Sequence, residues 1–194
     1  MTHSEISEKV RLFTGITLPI EVRSAISESA DRLSAMVEGV RWVPVENLHV
    51  TLKFLGSFEL EKVPLIEEAM RKAGSHLPLA LRIGGAGAFP SPGSARVIWV
   101  GVTDVDGDAA KVYRIIEKAA EKCGVQREKR AYRPHVTIGR AGKRPVRLPP
   151  EIDAVFDFEF RLDAVELALF RSELSGAGAR YTIVSGAGVA DPRE

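Results

Sequence analysis

Two short runs decide how this chain is read: HVTLKFLG at residues 49–56 and PHVTIGR at residues 134–140. Each writes histidine, an apolar residue, threonine and another apolar residue, and His135 follows His49 at an offset of 86. Sliding the sequence along itself by that offset, without a gap, also lays FTGIT (13–17) on WVGVT (99–103), matching Gly15 to Gly101 and Thr17 to Thr103. Each half thus reads as strand, helix, then a strand bearing a histidine, which is the signature of an internal duplication. Two related lobes facing one another across a cleft would bring both histidines to one place.

The hydrophobic period supports that organisation. VRLFTGITL (10–18) alternates as a strand, and Val22, Ile26, Leu33, Met36 and Val37 fall at helical spacing in the segment after Pro19 that runs to Val40. LHVTLKFLG (48–56) reads as a strand and 59–74 as a second helix. LALRIGGAGAF is a strand whose glycines suggest a bend or bulge. After the turn residues 90–93 the pattern restarts with RVIWVGVT as a strand, 107–122 as a helix and YRPHVTIGR as a strand. Strands are further predicted over 154–162, 164–174 and 179–184, with a frayed end at GVADPRE.

Side chains alternate along a strand, so His49 and Thr51 point one way while Val50 and Leu52 point into the core, and His135 and Thr137 relate to Val136 and Ile138 likewise. Lys53 shares the His49 face if the strand stays regular; its counterpart in the repeat is Gly139. Surface His-Thr pairs are commonplace, but this chain has only seven threonines and four histidines, and two of those histidines carry threonine at +2 between apolar residues. Independent placement gives that on the order of once in a thousand sequences. His3, in a polar N-terminal arm, and His76, in the loop GSHLP, have no such pattern and are read as idle. Phe54, Tyr132 and Trp42 could stack on a nucleobase, but aromatics beside core strands are commonly core, and Phe54 is assigned to packing.

Two imidazoles in one cleft suit a reaction that needs an acid and a base near neutral pH. Two neighbouring hydroxyls could donate to the non-bridging oxygens of a phosphate, where charge builds up in the transition state. The combination fits phosphodiester cleavage without a metal or other cofactor. A zinc site lacks a third ligand, with neither HExxH nor a Cys/His cluster present. No G-x-S-x-G elbow marks a serine hydrolase, and GGAGA (84–88) and SGAGVA (185–190) lack the GK[ST] ending of a phosphate loop and read as turns.

Composition sets the surroundings. At 194 residues, 45% of them hydrophobic, the chain can bury a substantial core. No stretch approaches the roughly 20 apolar residues of a membrane span, and MTHSEISEKV lacks the pattern of a signal peptide, so a cytoplasmic location is expected. The lone Cys123 has no intramolecular partner and is read as structural. Overall charge is +1, but residues 127–147 hold eight basic residues against Glu128 alone, a net +7 that leaves −6 elsewhere. A basic field beside His135 points to a polyanion such as RNA.

These residues resemble the two-histidine (2H) phosphoesterases, and within them the RNA 2′,3′-cyclic phosphodiesterases, also called 2′-5′ RNA ligase-like proteins. The resemblance runs through LFTGITLP, RWVPVENLHVTLKFLG, GAFPSPGSARVIWVGV, YRPHVTIGR and SELSGAGARYTIV. It implies a single bilobal α+β domain over 1–194, each lobe an antiparallel sheet with helices outside and the site in the groove between. It implies His49 as the general acid on the departing 3′ oxygen and His135 as the base that activates water. Thr51 and Thr137 would hold the phosphate oxygens, and Arg140 would add a cation, with Lys53 a further candidate for phosphate contact. Five steps along a regular strand reverse the face, so Arg140 reaches the site only if the strand bends. The implied partner is RNA with a 2′,3′-cyclic phosphate end, with no obligatory protein partner. Joining RNA ends through a 2′-5′ linkage, hydrolysis of a small cyclic nucleotide, or non-catalytic binding of RNA ends would use the same groove.

Overall fold

The computed structural model describes residues 8–175 and 178–188. Its strands are β1 (Lys9–Ile16), β2 (Val40–Trp42), β3 (Val50–Glu59), β4 (Leu79–Phe89), β5 (Val97–Asp104), β6 (His135–Ala141), β7 (Glu159–Ala164), β8 (Glu166–Ser175) and β9 (Gly178–Gly188). Helices α1 (Ile20–Ser34), α2 (Val63–Ala73), α3 (Asp108–Lys122) and the single turn α4 (Ile152–Val155) complete the chain. The strands form one antiparallel sheet in the order β7-β4-β5-β6-β3-β1-β8-β9, with β2 added beside β6. Outward from the centre the order is β3, β1, β8, β9 one way and β6, β5, β4, β7 the other. Each wing therefore has a histidine motif at its innermost strand, and the mixed α+β class with antiparallel pairing agrees with the sequence reading.

The wings meet at one residue pair, Val50 with Val136, both fully buried. A single hydrophobic cluster runs through both wings. The helices join it by the spacing already visible in the sequence: Val22, Ile26, Ala30 and Leu33 from α1, and Val112, Ile116 and Ala120 from α3. Buried apolar area of this kind is the main stabilising term.

Four local expectations are corrected. The first helix ends at Ser34 rather than reaching Val40: Met36 and Val37 N–H both close on the Leu33 carbonyl, and Gly39, at a left-handed φ of +77°, then leads the chain into β2; Met36 is left exposed. The strand expected from 154 begins only at Glu159. Ile152 and Phe156, four apart and both buried, are a helical pair hidden in an alternating run. GGAGA is no turn but the middle of β4, where the bulge expected from the glycines of LALRIGGAGAF is found as a register shift between Ile83 and Ala86. Ser185–Gly188 of SGAGVA continues β9 against β8. His3 and the segment after Gly188 lie outside the described residues.

Candidate active site

Val50 and Val136 face the core, so His49, Thr51, His135 and Thr137 occupy the opposite face of the sheet. Continued one residue either way, the Val50–Val136 register sets Thr51 across from His135 and His49 across from Thr137. The floor beside them is made of small residues: Thr51 pairs with Gly15 and Gly15 with Ala168, while His135 pairs with Gly101. At Gly15 the absence of a side chain is required, since a Cβ there would stand 2.8 Å from the Val50 carbonyl oxygen and 3.3 Å from Cδ2 of His49. Thr51, Phe54, His135, Thr137 and Arg140 line one cavity of about 970 Å³. His49 borders a second recess of about 520 Å³ with Arg23, Glu46 and Phe170.

The two motif strands are bent at the same place in the repeat. Along β1 and β3 the register steps from Gly15–Thr51 to Thr14–Lys53; along β5 and β6 it steps from Trp99–Thr137 to Ile98–Gly139. Leu52 and Ile138 are thus extra residues, and each bulge inverts the alternation that follows it. Five residues after each histidine the side chain consequently returns to the site face. Arg140 joins the cavity in this way, and so does Phe54, its counterpart at the offset of 86. Phe54 is 57% exposed, with its ring 5.7 Å from that of Phe13. Its assignment to core packing is therefore corrected.

The same bulge turns Lys53 inward. Its Nζ lies 2.9 and 2.8 Å from the two carboxylate oxygens of Glu117 and 2.9 Å from the Gln126 carbonyl, with both charged side chains over nine-tenths buried. Nζ thus donates two hydrogen bonds, to Glu117 Oε1 and the Gln126 carbonyl, and its charge is matched by Oε2, so Lys53, although it borders the cavity, is committed to Glu117. Glu117 also accepts from the Glu128 backbone N–H at 2.8 Å. The pair thereby fastens the start of the basic segment to β3, and Arg127, Lys129, Arg130 and Arg133 line the cavity. Tyr132 is occupied too: its hydroxyl donates to the Thr51 carbonyl at 3.3 Å, its ring stacks on Tyr113 at 4.3 Å, and burial raises its pKa. Trp42 lies over Gly139, on the far side of β6 from the cavity. His76 approaches Asp108 and Cys123 is buried; neither lines this cavity.

Both imidazoles are held alike. Nδ1 of His49 is 2.7 Å from the Asn47 carbonyl and Nδ1 of His135 is 2.7 Å from the Arg133 carbonyl, again 86 residues apart. A carbonyl can only accept, so Nδ1 carries the proton in each ring and Nε2 is left for chemistry. At 2.9 Å, the Thr51 hydroxyl donates to Nε2 of neutral His49. Burial is the main cause that lowers the His49 pKa to about 4; the Asn47 bond opposes it, and Arg140 and His135 lower it further. His135 is also lowered, by burial first, against the Arg133 bond and with a contribution from Arg140. Their surroundings differ: His49 is packed by Phe13, Phe170 and the edge of Tyr181 at centroid distances of 4.7, 5.3 and 5.4 Å, whereas His135 meets Phe89 and Trp99. Asn47 also donates its amide to the Ala179 carbonyl of β9 at 2.7 Å, tying the histidine loop to the β8–β9 hairpin. Sequence reasoning missed Phe13, Phe170, Tyr181 and Asn47; only Asn47 left a trace, as the counterpart of Arg133.

Chemically, the two motifs and the bulge after the second bring together two Nε2 atoms, two hydroxyls and the Arg140 guanidinium. Among the described residues no group of three or more His, Cys, Asp or Glu could hold a metal ion, and no helix is long and apolar enough to cross a membrane.

Comparison with known proteins follows the same lines. The family model of the 2′-5′ RNA ligase superfamily matches residues 22–173. The RNA 2′,3′-cyclic phosphodiesterase of Methanothermobacter thermautotrophicus is 34% identical over 183 residues, covering 90% of this chain and 96% of that protein. The enzyme of the same name from Escherichia coli is 29% identical, covering 91% and 95%. Among solved structures, E. coli LigT in complex with 3′-AMP superposes with a TM-score of 0.76 at 27% identity, covering 95% of this chain and all of that one.

Proposed function

The chain belongs to the 2′-5′ RNA ligase superfamily, and on that premise we propose that it hydrolyses terminal 2′,3′-cyclic phosphates of RNA to 2′-phosphomonoesters. The observation that carries this reading is the placement of both His-x-Thr pairs on one face of the sheet, with Arg140 brought to the same cavity by a bulge. The names of the relatives support the substrate class.

In the proposed reaction Nε2 of His135 takes a proton from water as its oxygen attacks phosphorus. The bond from phosphorus to the 3′ oxygen breaks on the opposite side, and that oxygen takes the proton of Nε2 of His49. The phosphate stays on the 2′ oxygen. Thr51, Thr137 and Arg140 hold the non-bridging oxygens, whose charge grows in the transition state. His49 must carry a proton for this role, although burial, Arg140 and His135 disfavour it in the free protein. A bound phosphate monoanion offsets Arg140 and lets the imidazolium form in the complex. Phe54, exposed beside this group, offers a ring face to the terminal base.

The test is product analysis after incubation with an oligoribonucleotide ending in a 2′,3′-cyclic phosphate, by chromatography or phosphorus NMR. A 2′-phosphate is expected. A 3′-phosphate would reverse the orientation of the substrate between the histidines, and no turnover would remove the hydrolase reading.

A further inference from the structure

Strand register carries one more arginine toward the groove. β6 lies between β5 and β2, and at one level Val97 pairs with Arg140 and Arg140 with Arg41. On the next strand Phe89 pairs with Val97. Residues directly opposite in antiparallel strands share a face, and Phe89, Val97 and Arg140 all line the cavity that holds His135 and Thr137. Arg41 continues that row on the same side. Its neighbours confirm the alternation, since a Cβ at Gly139 would stand 2.7 Å from Cγ1 of Val40 and 3.1 Å from Cε3 of Trp42, placing those two side chains on the far face.

Two arginines directly opposite repel each other, and like charges in such pairs destabilise a sheet. No ion pair among the described residues relieves this pair. Both residues are exposed, and the arginine ion pairs among the described residues involve Arg71, Arg82, Arg130 and Arg171 instead. More cations lie beyond them: Gly142 N–H bonds the Gly39 carbonyl at 2.9 Å to close β6 onto β2, and Arg96 donates to the Lys143 carbonyl at 3.3 Å, bringing Lys143 and Arg144 to this end. Such a row, leading away from the histidines, matches a strand of phosphates better than a single one.

We propose that Arg41 binds the phosphodiester on the 5′ side of the terminal nucleoside while Arg140 holds the cyclic phosphate. The preferred substrate is then the end of an oligoribonucleotide and not a free nucleoside cyclic phosphate. This rests on the hydrolase reading above and adds the direction in which the RNA leaves the site: over β2, not over residues 127–133.

The experiment compares wild type, Arg41→Gln, Arg41→Lys and Arg130→Gln on adenosine 2′,3′-cyclic phosphate and on a dinucleotide ending in the same group. For Arg41→Gln the ratio of kcat/KM, dinucleotide over mononucleotide, should fall about tenfold, the effect of one charge-assisted hydrogen bond at a solvent-open site. Arg41→Lys should recover part of it, and Arg130→Gln should leave the ratio higher than Arg41→Gln does. An unchanged ratio in Arg41→Gln, or a larger fall in Arg130→Gln, overturns the proposal. Binding is read separately, by fluorescence anisotropy of a short RNA ending in a 2′-phosphate over a range of salt. Loss of one phosphate contact should reduce the slope of log K against log salt by about 0.7, and an unaltered slope also overturns the proposal. Should wild type bind with that contact yet turn over neither substrate, the Arg41 contact stands and the hydrolase reading fails.

Discussion

Replacing Lys53 separates a structural cation from a phosphate ligand, two roles that this lysine could fill by sequence alone. In Lys53→Met the ammonium is lost while the Glu117 carboxylate stays over nine-tenths buried, with the Glu128 N–H as its remaining donor. Removing one partner of a buried ion pair costs about 3–5 kcal/mol, most of it the uncompensated charge. In the double variant Lys53→Met/Glu117→Gln no charge is left behind, and the amide oxygen still accepts from Glu128. Its stability should return to within about 1–2 kcal/mol of wild type. Urea unfolding with linear extrapolation measures both quantities. The decisive readout is hydrolysis of a nucleoside 2′,3′-cyclic phosphate at a temperature where every variant is folded. Because Nζ is buried and held by Glu117 and the Gln126 carbonyl, the double variant should keep kcat/KM within a fewfold of wild type. A double variant that regains stability but is a hundredfold slower would refute this reasoning and return Lys53 to the phosphate.

His49→Ala and His135→Ala should each lower kcat by about 10² to 10⁴-fold with the fold intact, as loss of general acid or base does; unchanged turnover in either would remove its role. Since burial and Arg140 hold both imidazoles below the ordinary 6.5, kcat/KM should peak on the acid side of 6.5 and decline as pH rises and the protonated acid is lost; a maximum at pH 8 would contradict this. The folded value of His49, about 4, lies under the unfolded 6.5, so the unfolded chain binds the proton more tightly between them and stability should fall as pH drops through that window. Thermal unfolding against pH checks it, and a His49→Gln protein with the same slope would assign the effect elsewhere. EDTA should leave the hydrolysis rate unchanged, whereas loss restored by zinc or manganese would turn the imidazoles into ligands.

Much of the fold was legible because the repeat and the hydrophobic period are local properties of the chain. The strands holding both motifs and the buried faces of α1 and α3 follow from spacing alone. What was hidden depends on partners distant in sequence. β2 is three residues long and exists because β6 offers an edge. Ser185–Gly188 looks like a turn until β8 supplies its hydrogen-bond partners. The aromatic surround of His49 comes from β1 and from the β8–β9 hairpin, which lie more than a hundred residues from one another, and carries no motif.

The bulges at Leu52 and Ile138 are the deepest case, because alternation read along a regular strand gave the wrong face for three residues at once. One extra residue in each motif strand moves Lys53 into the core and carries Phe54 and Arg140 onto the site. The bulge recurs at the same offset of 86 in both halves. The residues it delivers have diverged: an aromatic ring beside the first histidine and a guanidinium beside the second. Inward, Lys53 faces Glu117, while its counterpart Gly139 leaves room for Val40 and Trp42. Matching backbone geometry thus places the two imidazoles alike, and the residues after the bulges make their surroundings unequal.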